Sequence, residues 1–215
     1  MAEKKKVFAY FDGSNFYHNC KNNYGITSIK FNDLCNNMLD LSNEELVKIR
    51  YFNCPVNQQE DMQAYAEQLK FFKNLRQTPF LELHLGKLVR RRLQKININC
   101  ATCKHQKAEH IICPKCKKQM QITDCYKSWE KGVDVQLAIY MIIDALTKKY
   151  DTALLFSGDA DFCPAIRYIV KALNKEVIYC CFPTPKTSEL IQTCSKYKIV
   201  TQEIILKSIA NNHPQ

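Results

Sequence analysis

Short runs of strand-forming residues alternate with helical periods along almost the whole of this 215-residue chain, and few architectures accommodate that alternation. Residues 7–11 are strand formers that stop at Asp12, and residues 47–54 read as a second strand. Residues 58–77 place Met62, Tyr65, Ala66, Leu69, Phe72 and Leu75 three and four apart, the spacing of a helix with one apolar face. The spacing is also helical around residues 31–39, and residues 80–89 read as strand. Beyond residue 131 the pattern predicts a helix over 133–148, apolar on most of its circumference and therefore expected deep in the structure. There follow a strand over 152–157, a helix over 162–173, a strand over 176–182, a short helix over 188–194 and a last strand-like run over 199–206. The pattern predicts an α/β fold with a mainly parallel central sheet, and 215 residues suit one domain better than two.

With 46% apolar residues, five Gly and seven Pro, the chain is neither disordered nor collagen-like. No apolar run approaches the roughly 18 residues a membrane helix requires, so no membrane partner is expected. The amino-terminal apolar run has five residues, against the ~7–15 of a signal-peptide core, which points to the cytoplasm and a reducing environment. There, clustered cysteines hold metal more often than they form disulfides.

Residues 97–125 interrupt the alternation and carry such a cluster. Cys100 and Cys103 form one C-x-x-C and Cys113 and Cys116 another, nine residues later. Two such knuckles complete a closed tetrahedral Zn²⁺ shell, a structural site that also explains how so short a segment folds. His105 and His110 lie between the pairs as alternative ligands, and a redox-active pair is the other reading of a C-x-x-C. The remaining eight cysteines lack ligand spacing and are expected in the core.

The same region concentrates the charge. Residues 87–131 hold twelve Lys or Arg against Glu109, Asp124 and Glu130, a net +9 of the chain's +10. A near-neutral body bearing one strongly basic segment suits a polyanion partner, with Arg90, Arg91, Arg92, Lys95, Lys117, Lys118 and Lys127 as candidate phosphate contacts. Tyr126 and Trp129 are candidates for stacking on bases, or for packing the segment on the body. A solvated lysine-rich surface is the plainer alternative for the segment as a whole.

Three aspartates fall where an α/β sheet builds its sites: Asp12 at the end of the first strand, Asp159 just after TALLFSG, and Asp134 opening the apolar helix. Carboxylates brought together repel, and a hard divalent cation relieves that repulsion while orienting water and phosphate oxygens. The implied chemistry is metal-assisted attack on a phosphodiester. Each Asp also has a plainer role, as a turn residue or helix cap. The histidines sit in no nucleophilic arrangement, and no Walker-type phosphate loop is present.

DGSNFY at 12–17, KGVD at 131–134 with the following LAIYMIIDAL, and SGDADFCPAI at 157–166 resemble, in order, the NYN domain, the LabA-like branch of the PIN-like ribonuclease superfamily. The resemblance covers nearly all of residues 1–215 apart from 97–125. It implies a Rossmann-like α/β/α sandwich, Mg²⁺ or Mn²⁺ at clustered carboxylates, and RNA hydrolysis. Carried over by motif, Asp12, Asp134 and Asp159 would be the metal carboxylates and Asp161 a further acidic group. Asn15 and Ser157 would orient the site or the phosphate. The zinc insertion departs from the family pattern.

The leading expectation is a metal-dependent endoribonuclease whose basic zinc module grips RNA. An RNA-binding adaptor with little turnover, or a nuclease directed by a protein partner docked on the zinc module, are the alternatives. A homodimer stays open, and so does DNA as a substrate, since phosphate contacts carry no base information.

Overall fold

The computed structural model describes residues 3–92, 97–99, 106–108, 115–117, 126–184 and 186–209. It divides into two compact units, the larger formed by residues 1–87 and 131–215 and the smaller by Leu88–Glu130.

The larger unit is built on six strands: β1 (Lys5–Asp12), β2 (Glu44–Asn53), β3 (Leu81–Leu85), β8 (Thr152–Phe156), β9 (Glu176–Cys181) and β10 (Lys196–Ile199). They lie in the order β10-β9-β8-β1-β2-β3, and every neighbouring pair is parallel. A parallel sheet is covered on both faces, so its central strands are apolar throughout rather than alternating. β1 shows this, with all residues from Val7 to Asp12 buried. The chain winds outward from β1 to β2 and β3 on one side, and from β8 to β9 and β10 on the other. The crevice beyond the carboxyl ends of β1 and β8 is therefore the topological switch point, where such sheets bind their ligands.

Successive strand residues point to opposite faces, and β1 shows what covers each. The Phe11 ring stacks at 4.1 Å on Phe156 and meets Phe16 of α1 (Gly13–Tyr24) and Phe31 of α2 (Phe31–Asn37) edge-on, at 5.1 and 5.0 Å. The cluster continues through Tyr51 and through Phe72 and Leu75 of α3 (Met62–Gln77), and through Ile205 of α7 (Gln202–Lys207). Tyr10 points the other way and donates a hydrogen bond from its hydroxyl to Asp144 of α4 (Val133–Leu146) at 2.9 Å. α4 packs in turn on α5 (Cys163–Lys171), giving helices on both faces of the sheet. A last short helix, α6 (Ser188–Thr193), follows β9.

In the smaller unit, β4 (Lys87–Arg92) pairs with β7 (Tyr126–Lys131), and β5 (Asn97–Asn99) pairs antiparallel with β6 (Gln106–Ala108). The expected 97–125 insertion lies within this unit's bounds.

The α/β class and the mainly parallel sheet are as expected, but several details differ. The strand-like run 199–206 is the end of β10 followed by α7, because the Thr201 side chain accepts from the Ile204 N–H and caps a helix there. The expected strand over 80–89 is two strands, β3 and β4, parted at Gly86. A Cβ at Gly86 would lie 2.6 Å from Val133 Cγ2 and 2.9 Å from the Lys131 carbonyl, so only glycine fits this crossing. α4 is not buried all round: Val135 at 62%, Ile139, Ile143 at 43% and Leu146 form an exposed apolar stripe along one side. The expected helix over 162–173 begins as a 3-10 turn at Ala160–Phe162. Among the described residues no helix is long and apolar enough to cross a membrane.

Candidate functional site

Asp12 is the last residue of β1 and the N-cap of α1. Its backbone is extended, and its Oδ1 accepts the Asn15 N–H at 3.2 Å, so the plain capping role is real. The turn is tight, since a Cβ at Gly13 would come within 2.5 Å of the Tyr51 ring. Asp12 is only 6% exposed, and its second oxygen is also engaged: Ser157, just past β8, donates its hydroxyl to Asp12 Oδ2 at 2.9 Å.

Ser157 links two of the acidic segments. While donating to Asp12 it accepts the backbone N–H of Asp159 at 3.2 Å, so its hydroxyl serves as an orienting bridge. Asn15 makes a second bridge, its Oδ1 accepting the Gly158 N–H at 3.0 Å. Asp159 in turn caps the 3-10 turn through the Asp161 N–H at 2.9 Å, and Asp161 is exposed.

Asp134 sits in the first turn of α4, where the N-cap position belongs to Gly132 in the left-handed conformation, φ 85°. The plainer role of helix cap therefore does not fall to Asp134, which is exposed, in a place where the helix dipole favours negative charge. Burial raises Asp12 above the ordinary carboxylate value, and the charges of Asp134 and Asp159 add to it against the Asn15 and Ser157 hydrogen bonds. Desolvation likewise raises Asp134, reinforced by Asp159 and Asp161. The four carboxylates therefore share one electrostatic neighbourhood. Among the described residues none of them forms an ion pair with a Lys, Arg or His. Nor do three His, Cys, Asp or Glu groups converge closely enough, among the described residues, to hold a metal ion.

The basic and cysteine candidates fall in the smaller unit. Arg90, Arg91 and Arg92 lie on β4, and Lys127 and Trp129 on β7, with Trp129 36% exposed. Cys116 and Lys117 lie in an exposed segment, Lys117 with φ 58°. Cys100, Cys103, Cys113, Lys95 and Lys118 lie outside the described residues. Of the cysteines expected in the core, Cys20, Cys35, Cys54, Cys163, Cys180, Cys181 and Cys194 are buried, and Cys125 lies outside the described residues.

Sequence reasoning missed α1 and what it carries. Asn19 Nδ2 donates to the Asn15 carbonyl and to Asn15 Oδ1, both at 2.9 Å, and Asn23 Nδ2 donates to the Asn19 carbonyl at 2.9 Å and to the Thr184 carbonyl at 2.7 Å. This asparagine ladder, at four-residue spacing, fixes the side chain of Asn15. The spacing in NFYHNCKNN was the available signal. Thr187, also missed, donates its hydroxyl to the Gly158 carbonyl at 2.5 Å.

A doubly wound, fully parallel six-stranded sheet covered by helices, with acidic residues at its switch point, defines the class of the protein as a Rossmann-like α/β fold. The NYN domain model matches residues 6–201, and the chain belongs to that family of PIN-like nucleases. The fold is similar to the crystal structure of a protein of unknown function from Vibrio parahaemolyticus RIMD 2210633, with a TM-score of 0.57 and 19% identity. That match covers 98% of this chain and 100% of the other. None of the curated proteins matches the chain significantly.

Proposed function

We propose that this chain is a Mg²⁺- or Mn²⁺-dependent endoribonuclease of the LabA-like branch, cutting RNA phosphodiester bonds at the switch-point carboxylates. The observation that carries the reading is Asp12: a carboxylate at the end of β1, bonded to Ser157 just past β8 and destabilised in its charged form chiefly by burial, with the charges of Asp134 and Asp159 adding to it. Mutual repulsion without a neutralising side chain is the cost a protein bears where a cation is to bind.

The donor set fits that cation. All the groups are hard oxygens, and Mg²⁺ keeps several waters, taking one or two carboxylates together with substrate phosphate rather than a closed protein cage. An open carboxylate group that the RNA itself completes is compatible with the spread of Asp12, Asp134 and Asp159, which we assign as the set that supplies one or two direct ligands and holds the cation's waters with the rest, with Asp161 as a further acidic group. When bound, the cation supplies charge stabilisation to the phosphoryl oxygens and eases ionisation of the attacking water. The protein's own residues hold the geometry. Ser157 and the Asn15 N–H fix both oxygens of Asp12, and the Asp159 N–H on Ser157 keeps the second strand end in register with the first. We assign the net +9 segment, with a structural Zn²⁺ on Cys100, Cys103, Cys113 and Cys116, to gripping the RNA.

Cleavage of generic RNA with Mn²⁺, compared between the wild type and Asp159→Asn, tests the reading. Cleavage lost in the variant and in chelator supports it. Equal cleavage by both proteins overturns the site assignment, and RNA binding with no cleavage by either favours the adaptor.

A further inference from the structure

Next to the carboxylates lies a cavity of about 70 Å³ whose lining includes Asn15, Asn19, Gly158, Tyr179, Cys181 and Thr187. About 10–15 Å³ of such space holds one water, so the cavity takes a hydroxyl group together with water. Its wall offers what an alcohol needs. Asn15 Oδ1 is spent on the Gly158 N–H and on Asn19 Nδ2, which turns the carboxamide so that its NH₂ is the group left to donate. Thr187 directs its proton to the Gly158 carbonyl and is also hydrogen-bonded to the Tyr179 side chain, which leaves its oxygen one lone pair with which to accept.

Gly158 is an independent pointer to a ligand. Its φ is not left-handed, and a Cβ there would meet Thr187 Oγ1 at 3.6 Å and Asn15 Oδ1 and the Tyr179 hydroxyl at 3.7 Å, all ordinary contacts. Neither the backbone nor packing within the chain calls for glycine, so its missing side chain keeps open the space between three polar groups. Glycine serves this purpose where backbone and ligand approach closely. Lys186 supplies a charge nearby. It is exposed, forms no ion pair among the described residues, and is near enough to draw the Cys181 thiol back down against the burial that raises it.

We propose that this cavity is a ribose subsite, taking the 2′-hydroxyl of the nucleotide beside the scissile phosphate, with Lys186 on the adjoining phosphate. The inference rests on the ribonuclease reading and deepens it, because Asn15 and Ser157 belong to both the cavity and the acidic site. The 2′-hydroxyl is the group by which a protein tells RNA from DNA at a given position, so this subsite makes the enzyme prefer RNA.

The test measures binding of labelled oligouridylate and of its 2′-deoxy counterpart to the full chain, by fluorescence anisotropy in Ca²⁺. The wild type is expected to bind the ribose strand more tightly. Gly158→Ala should weaken that strand about tenfold, the worth of a lost hydrogen bond, while leaving the deoxy strand and the thermal midpoint unchanged. Lys186→Ala should weaken both strands and flatten the log–log salt slope by about 0.7. Equal weakening of both strands by Gly158→Ala, no ribose preference in the wild type, or an unaltered slope in Lys186→Ala overturns the subsite. The nuclease reading fails separately: ribose-selective binding that Gly158→Ala abolishes, in a protein that cuts no RNA with Mn²⁺, supports the subsite and sinks the nuclease.

Discussion

Arg50 and Asp144 form a two-point ion pair inside the protein, Nε to Oδ2 at 2.6 Å and Nη2 to Oδ1 at 3.0 Å, with the Asp144 side chain fully buried. The pair ties β2 to α4, the helix that carries Asp134. Tyr10 also donates to Asp144, Arg50 also pairs with Glu82, and the Arg50 guanidinium lies 4.6 Å over the Tyr140 ring. A charge buried this way is satisfied only as long as all its partners are present.

Asp144→Ala, which leaves Arg50 with Glu82 as its one remaining carboxylate partner among the described residues, is expected to cost up to about 3–5 kcal/mol of stability. Arg50→Met combined with Asp144→Leu should cost far less than that single change, because no unpaired charge is left behind. Urea unfolding of the single and double variants checks this, and similar losses in both would mean that packing, rather than charge, is what the pair supplies.

Acid should act in two opposite ways. Burial pushes Asp144 up, but the Arg50 and Tyr10 hydrogen bonds and the Arg50 charge outweigh it and hold the carboxyl below 3.8. Its stabilisation is therefore present above pH 3.8 and lost as pH falls through the lower folded value. Asp12 and Asp134 are raised, chiefly by burial, so their contribution is greatest below 3.8 and is lost as pH rises through their folded values. Thermal midpoints of the cation-free protein should thus rise as pH is lowered from neutral toward 4, then fall. Asp12→Asn should flatten the rise and, at pH 7, gain about 0.5–2 kcal/mol while losing cleavage. A variant that loses both activity and stability would mark Asp12 as a cap and nothing more.

Purified protein is expected to carry about one Zn²⁺ per chain, as a closed four-thiolate shell requires. Elemental analysis checks the content, and Cys103→Ser should lower it while the far-ultraviolet signal of the larger unit persists. Unchanged zinc in that variant would reassign the ligands.

Replacing Arg90, Arg91 and Arg92 together by Ala should reduce the salt slope of RNA binding by up to about two, at about 0.7 for each phosphate no longer neutralised. KM on long RNA should rise with kcat nearly unchanged, the pattern of lost uniform binding. An unchanged slope would turn this surface over to protein docking.

What the sequence made legible was local or periodic. The switch-point strands were readable because covered strands are continuously apolar and end in D-G and S-G-D turns. α1 was not, since GSNFYHNCKNNY is rich in residues that disfavour helix interiors. Its stability comes from the Asp12 cap, the asparagine ladder and Phe16 against the core. Thr201 misled in the opposite sense: a capping threonine inside an apolar run looks like a β-branched strand residue until the chain turns there. The Arg50–Asp144 pair joins positions 94 apart, and no periodicity reveals which charges meet across a strand and a helix. At the site, the Asp residues were visible through their motifs, whereas Thr187 entered it only through the return of the chain after β9.

The close crossing of Gly86 with Lys131 and Val133 bears on how a fold like this one acquires parts. The chain leaves the larger unit and returns to it at a single crossing, so the two ends of the excursion are already neighbours. Lengthening a closed loop costs only about 0.6 kcal/mol per doubling, so segments of very different size can be spliced between Gly86 and Lys131 at small cost to the body. The crossing is in effect a socket, through which evolution or an engineer can exchange one inserted segment for another while the switch-point carboxylates stay where they are.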